Sequence, residues 1–190
     1  MAIGSQQWMY ASGEDFTIDQ SLRFDNGDSA NLTWTPASAG NRKTFTISFW
    51  TKLTGQGGFW VSAQPSAGAT PFWVINQIND NSGRKLRVNS YNSGDDIVLI
   101  PNGELRDYSS WYHIVVAQDT TQGTASDRLK IYINGVQETS FNTETYPVQD
   151  YEGSWNNNVQ HHIGSSNTAS YLDGYMAEFH HIDGTALTPS

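Results

Sequence analysis

The feature of the sequence that most constrains its fold is the alternation of apolar and polar side chains along short segments. In the segment 44–52, TFTISFWTK, the apolar residues Phe45, Ile47 and Phe49 occupy every second position. Successive side chains of an extended strand point to opposite faces, so this period of two predicts a half-buried strand. The same period recurs along the chain, and no segment of about ten or more residues has the period of an amphipathic helix. The pattern predicts an all-β fold.

Clusters of glycine, asparagine, aspartate and serine separate the predicted strands, as in DNGDSAN and NDNSG. The strongest hairpin signal is KIYINGVQE, in which Asn134 and Gly135 both tolerate a positive φ. This pair predicts a two-residue type I′ turn between antiparallel strands. Many short strands without helices to cover them leave two architectures, two stacked sheets or a closed barrel.

The charge and composition of the chain exclude several classes of partner. Its formal net charge is −9 and it has no cysteine. Without a basic field nothing attracts a phosphate backbone, and without thiols neither disulfides nor thiolate metal sites can stabilise the fold. No apolar run reaches the length of about eighteen residues that spans a membrane, and the N-terminus lacks the basic and apolar regions of a signal peptide. We therefore expect no nucleic-acid partner, no membrane insertion and no signal-directed export.

A length of 190 residues fits one domain with a short extension. Residues 1–17 are mostly small and polar, with a few aromatic side chains such as Trp8 and Tyr10. This segment is predicted to be an N-terminal arm, and two alternatives stay open for it. It is either flexible, or it docks its aromatic side chains on a neighbouring subunit. Residues 18–190 are predicted to form the folded domain.

The order of segments from SLRFDNGDSANLTW to YLDGYMAEFHHIDGTALTP resembles the laminin-G-like group of concanavalin A-like lectin and glucanase jelly rolls. The most diagnostic parts are the strand with Trp111 and His113, the Ile-Asn-Gly hairpin at 133–135, and the final strand opened by Gly174. The resemblance implies an antiparallel, two-sheet β-sandwich with the jelly-roll topology.

Three segments are similar to a cassette near the N-termini of proteins encoded by tailed bacteriophages, especially marine ones. They are SLRF, the stretch TPASAGNRKT at 35–44, and DGYMAEFHHIDGTALTPS at the end of the chain. The similarity implies a protein of the virion surface: a capsid decoration, a head fibre or a tail fibre domain. Its implied partners are other virion proteins. Two questions stay open: whether the domain is instead a dedicated module that binds host or environmental polysaccharide, and whether it forms a homo-oligomer.

Catalysis was tested against the glucanases of the same superfamily. Those enzymes present an acid and a nucleophile from one strand in a Glu-x-Asp-x-(x)-Glu pattern, because retention needs two carboxyl groups about 5 Å apart. No segment here has that spacing, and Asp173 and Glu178 lie on opposite faces of a strand without a bulge. We expect a domain that is not an enzyme, with glycoside hydrolysis as the alternative.

Carbohydrate binding would need an aromatic face flanked by hydrogen-bonding side chains. Trp155 is followed by Asn156 and Asn157 in the loop segment YEGSWNNN, and we predict that it is exposed. Trp73 and Tyr91 are further predicted sugar contacts.

Three tryptophans lie opposite the main aliphatic set of their predicted strands, which for the segment 71–79 is Phe72, Val74 and Ile78. This interpretation puts them on the outer side of a sheet, as a binding face or as a protein interface rich in aromatic residues. They are Trp50, Trp60 and Trp73.

Calcium is the metal that the resemblance implies, because laminin-G-like domains commonly hold it at the rim of the sandwich. Asp25, Asp28 and Asp80 are the predicted ligands, since carboxylate oxygens suit this ion. The alternative is that these residues only form turns.

The histidines are interpreted as structural. His161 with His162, and His180 with His181, form adjacent pairs whose members point to opposite faces of a strand, so each pair offers one ligand at most to a common zinc centre. They are predicted to be half-buried polar side chains, and His113 to lie in the core.

The closing segment is predicted to be the strand that seals the sandwich. Tyr175, Ala177 and Phe179 then pack inward and Met176 faces outward. Joint burial of Met176 and Phe179 would require a bulge between them.

Overall fold

The computed structural model describes residues 18–54, 57–66, 68–80, 83–167 and 169–189. The predicted arm, residues 1–17, lies outside these ranges and stays a prediction. The described chain is all-β, as predicted, with one short 3-10 turn at Ala125–Asp127. In the described ranges no helix has the length and apolarity needed to cross a membrane.

The strands form two antiparallel sheets. The six-stranded sheet has the order β1-β13-β3-β8-β9-β10, and the seven-stranded sheet has the order β11-β7-β6-β5-β4-β12-β2. This confirms the two-sheet β-sandwich. In chain order the strands are β1 (Leu22–Phe24), β2 (Leu32–Trp34), β3 (Thr44–Leu53), β4 (Phe59–Gln64), β5 (Phe72–Asp80), β6 (Gly83–Tyr91), β7 (Asp95–Pro101), β8 (Tyr112–Asp119), β9 (Leu129–Ile133), β10 (Val136–Gln137), β11 (Phe141–Thr145), β12 (Gln160–Ile163) and β13 (Gly174–Asp183).

The core lies between the sheets and is filled by every second side chain of the long strands. Phe45, Ile47 and Phe49 of β3 are buried in it, as their alternation predicted. On the facing sheet Leu86 and Val88 of β6 close the same cluster. Apolar burial of this kind is the main stabilising contribution in a chain without disulfides.

Of the three tryptophans predicted to face outward, Trp60 and Trp73 lie in this core, so for these two the prediction is wrong. In β5 the inward set is Trp73 and Ile75, while Phe72 faces outward. That strand is apolar on both faces, and alternation alone cannot tell which face is covered. In β4 a register shift between Phe59 and Val61 accommodates the burial of Trp60 next to Val61.

The hairpin between β9 and β10 has the predicted type I′ turn, because Asn134 and Gly135 have φ values of 51° and 81°. We expect Gly135→Ala to lower the free energy of unfolding by about 1–2 kcal/mol, since a Cβ strains a left-handed backbone. Gly123 is the matched control: it has open space around it and a φ outside that region. Its replacement by alanine should leave the stability unchanged or slightly raised. Urea unfolding measures both, and equal losses would contradict the expectation.

The closing strand β13 contains a bulge. Its pairing with β3 shifts register between Ala177 and His180, and Glu178 has a φ of 47°. Met176 is buried and Phe179 packs against the core, which confirms the bulge that their joint burial required. The predicted inward orientation of Tyr175 is wrong, because Met176 takes the inward position beside it. The Tyr175 ring lies on the outer face of the six-stranded sheet, where it contacts Trp111.

Candidate ligand-binding site

The predicted sugar-binding tryptophan, Trp155, is fully buried, with an exposed fraction of 0%. Its ring contacts Trp34 edge-on at 5.9 Å between centroids and lies 5.4 Å from Trp73. The prediction that Trp155 is exposed, and could stack on a sugar, is therefore wrong. The asparagine-rich segment does turn the chain, with Asn156 at a φ of 61°, but the indole packs in the core between the sheets.

The other predicted sugar contacts divide into buried and accessible side chains. Trp73 is fully buried, so that prediction is wrong as well. The Asn156 amide is also buried, and its Nδ2 donates to the Asn41 carbonyl at 3.0 Å and to Asp183 Oδ1 at 2.7 Å. Tyr91 and Asn157 keep accessible surface, and their contact with a sugar stays a prediction.

Trp50 is the tryptophan whose predicted outward orientation is confirmed. It lies on the outer face of the six-stranded sheet, in a groove of about 530 Å³ that we call the tryptophan groove. Indole, hydroxyl, amide and imidazole groups share the surface of this groove with aliphatic side chains, and no charged residue of the described chain lines it. The lining residues are Thr46, Ser48, Trp50, Trp111, His113, Val115, Asn134, Gly135, Ile182, Leu187, Thr188 and Pro189.

The floor of the tryptophan groove is a cross-strand pair. Trp50 of β3 lies opposite His113 of β8, and their rings stack at 4.8 Å with an interplanar angle of 18°. Ser48 Oγ lies 2.9 Å from His113 Nε2, and the His113 backbone N–H donates to Asn134 Oδ1 at 2.8 Å. These contacts hold the histidine and the indole in one orientation. His113 therefore lies on the outer face and not in the core as predicted, although a neighbouring strand does satisfy its ring.

Burial favours the neutral form of the imidazole in the groove. Burial lowers the pKa of His113 below its ordinary value, and the proximity of His180 lowers it further. A neutral ring offers one donor and one acceptor, so it suits hydroxyl groups as ligands.

The C-terminal segment forms one wall of the tryptophan groove. Thr46 Oγ1 donates to the Thr185 carbonyl at 2.8 Å and accepts the Leu187 backbone N–H at 2.7 Å. Trp111 also lines the groove, and its ring contacts Tyr175 edge-on at 6.5 Å. The groove thus depends on a segment that is far from its floor in sequence.

The two carboxylates weighed for hydrolysis, Asp173 and Glu178, are not among the residues that line this groove. Asp173 Oδ1 accepts the Thr54 hydroxyl at 3.2 Å, and Glu178 lies at the bulge, 3.4 Å from His180. Among the groove-lining residues there is no aspartate or glutamate. The groove itself therefore lacks the acid and nucleophile of a glycosidase.

The residues predicted to bind calcium were tested for their fit to this ion. Asp25 Oδ1 accepts the Gly27 N–H at 2.9 Å, and its Oδ2 pairs with Arg23 at 3.0 Å, so both oxygens already stabilise the turn. Asp28 contributes a backbone N–H to the same turn, and the side chain of Asp80 lies outside the described residues. The described residues hold no cluster of three histidine, cysteine, aspartate or glutamate side chains placed to bind a metal ion. The Asp25 turn therefore does not fit a calcium ion, whereas calcium binding at Asp80 stays a prediction.

The paired histidines split between the two faces of their strands. His161 and His162 are both buried, more deeply than the predicted half-burial, whereas His180 is exposed. His161 and His181 both contact the Trp155 ring, with centroids 4.8 and 5.5 Å away.

The comparisons with known proteins agree with this fold. Residues 25–190 match the family model described as the concanavalin A-like lectin/glucanases superfamily. The chain belongs to this superfamily. No curated protein sequence matches it.

Three solved structures illustrate the range of proteins whose fold is similar to that of the domain. A pentraxin from Limulus polyphemus gives a TM-score of 0.58 at 15% identity, covering 83% of this chain and 71% of its own. Tailspike protein 2 of Escherichia coli O157:H7 bacteriophage CAB120 gives 0.57 at 11% identity, covering 87% of this chain and 23% of the tailspike. The IT-sialidase CBM40 of Ruminococcus gnavus gives 0.51 at 12% identity, covering 84% and 94%. At these identities the likeness shows the fold alone.

Sequence reasoning missed several residues that line the groove of this superfamily member. Ser48, Asn134 and Leu187 were not predicted to be site residues, and Trp111 served only as a family marker. The signal that could have found the groove is Trp50 on the polar face of β3, with His113 opposite it on β8 and Trp111 directly before that strand.

Proposed function

We propose that the domain is a non-catalytic carbohydrate-binding module that holds a neutral saccharide in the tryptophan groove. The observation that carries the proposal is the pairing of two indoles, Trp50 and Trp111, with uncharged hydrogen-bonding groups in one groove of about 530 Å³. A pyranose has an apolar C–H face and a rim of hydroxyls. The groove offers apolar rings for the face and Ser48, His113 and Asn134 for the rim.

The superfamily supports this proposal, because its name joins lectins with glucanases and the domain is similar to a carbohydrate-binding module of a sialidase. The lack of acidic groups in the groove favours binding over hydrolysis. Incubation with neutral polysaccharides should release no reducing sugar above a buffer blank, whereas release would favour the glycosidase.

We also propose that the domain is displayed on a bacteriophage particle, as a capsid decoration or a fibre domain that attaches to polysaccharide. The resemblance of SLRF and of the closing segment to phage-encoded cassettes supports this role, and so does the similarity to a phage tailspike. Labelling the protein on purified particles and imaging them tests the location. Light scattering tests the predicted homo-oligomer.

Loss of the Trp111 ring is expected to abolish saccharide binding. A screen of neutral glycans identifies a ligand, and titration calorimetry compares the wild type with Trp111→Ala. Removing one stacking face should weaken the affinity by about tenfold or more, as for truncated aromatic residues at other interfaces. Tyr108→Ala is the control, because Tyr108 is exposed and lies outside the groove. Unchanged affinity in Trp111→Ala, or equal losses in both variants, would refute the groove as the site.

A further inference from the structure

A second pocket lies on the opposite side of the molecule, on the outer face of the seven-stranded sheet. It has a volume of about 270 Å³, and we call it the arginine pocket. Its walls combine the rings of Phe59 and Phe72 with the polar side chains of Gln64, Arg87 and Asn167. The Tyr91 ring stacks on Phe72 at 5.7 Å with an interplanar angle of 15° and so supports that wall.

Arg87 is the charged group of this pocket. It lies between the core residues Leu86 and Val88 on β6, so its side chain points away from the core. Its Nε donates to Asn76 Oδ1 at 3.0 Å, which orients the guanidinium, and no described residue forms an ion pair with it. Burial lowers the pKa of Arg87 below its ordinary value, and the Asp95 carboxylate partly offsets this effect. An arginine stays protonated at neutral pH despite such a shift.

Asn167 supplies a donor that has no partner. Its side chain is only 5% exposed, and its Nδ2 makes no hydrogen bond with any described residue. The segment before it is held over the sheet, because Ser62 Oγ donates to the Ser165 carbonyl at 2.9 Å and Gln64 Nε2 donates to the Ser166 carbonyl at 3.3 Å. An unsatisfied buried donor is unfavourable, and an acceptor on a ligand would remove that penalty.

The pocket therefore offers unpaired hydrogen-bond donors to a ligand. The Nη atoms of Arg87 and the Nδ2 of Asn167 lack partners among the described residues, and no aspartate or glutamate lines the pocket. Planar guanidinium groups pair with carboxylates through two parallel hydrogen bonds. The flanking phenylalanine rings favour a ligand that carries an apolar face next to its charge.

We propose that the arginine pocket is a separate binding site for an acidic saccharide. The sugar carboxylate pairs with the Arg87 guanidinium, an oxygen of the ligand accepts the Asn167 amide, and the C–H face of the ring contacts Phe72. This site goes beyond the proposed function, because it lies on the other sheet and selects the opposite kind of ligand, a charged sugar over a neutral one.

Titration calorimetry of the full chain with glucuronic acid and N-acetylneuraminic acid tests the proposal. Methyl glucoside is the neutral control, and acetate is the control for a bare carboxylate. We expect binding of at least one acidic sugar, and Arg87→Gln to weaken it by about 10- to 100-fold, the usual range for a charge-assisted hydrogen bond. Arg106→Gln is the matched control, since the Arg106 side chain is 81% exposed and lies outside the pocket.

Arg87→Lys keeps the charge but loses the bidentate geometry, so it should bind with intermediate affinity. Thermal melting checks that each variant is folded. If Arg87→Gln does not fold, the affinity of Arg87→Lys is the measurement that tests the proposal. Equal affinity for acidic and neutral sugars, no binding of any acidic sugar, or acetate binding as tightly as the acidic sugars would overturn the proposal. Trp111→Ala should keep the acidic-sugar affinity, so the two sites can fail independently.

Discussion

Replacing Trp155 with alanine is expected to lower the free energy of unfolding by about 3–5 kcal/mol, the range for truncating a large aromatic residue in a core. The indole is fully buried and contacts Trp34, Trp73, His161 and His181, which come from four different strands. Its removal leaves a cavity that these rings can fill only in part. A loss of this size is a large fraction of the stability of a typical domain.

Chemical unfolding of Trp155→Ala and Trp155→Phe measures the effect. The phenylalanine variant keeps most of the buried ring and should lose much less stability. Trp111→Ala is the control for the same change of composition at a half-buried position of the tryptophan groove. If Trp155→Ala has the stability of the wild type but loses sugar binding, the buried position of Trp155 is contradicted. The exposed indole predicted from the sequence would then be supported.

The contrast between β3 and β5 shows what alternation can and cannot predict. In β3 the apolar residues Phe45, Ile47 and Phe49 alternate with polar ones, so the buried face follows directly from the period of two. In β5 both faces carry apolar residues, and the facing sheet decides that Trp73 is inside. The hairpin at Asn134 was predictable because its positive φ values are a local property of the backbone.

The candidate sites were less predictable, because each depends on residues that are distant in sequence. The tryptophan groove needs the contact of Thr46 with Thr185 and Leu187, which brings the C-terminal segment over the floor of the groove. The arginine pocket needs Asn167 placed over β6 and Arg87. Tyr91 was predicted as a sugar contact. In the structure its ring stacks on Phe72, which lines the arginine pocket.

Acidification from pH 7 to pH 4 is expected to destabilise the domain, and His161 should contribute about 3 kcal/mol of that loss. The side chain is 1% exposed, and burial lowers its pKa to about 4, an effect that its contact with the Val159 carbonyl only partly opposes. The Asn156 backbone N–H donates to His161 Nε2 at 3.0 Å, while Nδ1 lies 2.8 Å from the Val159 carbonyl oxygen. Protonation of Nε2 would break the first of these bonds.

The sign of this effect follows from proton binding. Between pH 6.5 and pH 4 the unfolded chain carries a protonated His161 and the folded chain does not, so acid favours unfolding in that window. The stability contribution is complete above pH 6.5 and is lost as the pH falls towards 4. Burial also lowers the pKa of His162 and His181, which act in the same direction.

Urea unfolding at several pH values separates His161 from the rest. His161→Gln should be less stable at pH 7 but should lose less stability on acidification, because the titrating ring is gone. His180→Gln is the control for replacing an exposed imidazole, since the His180 side chain is 58% exposed. Parallel profiles for the wild type and His161→Gln would mean that the acid sensitivity comes from other groups. The buried histidine beside Trp155 would then be a packing residue whose protonation does not oppose folding.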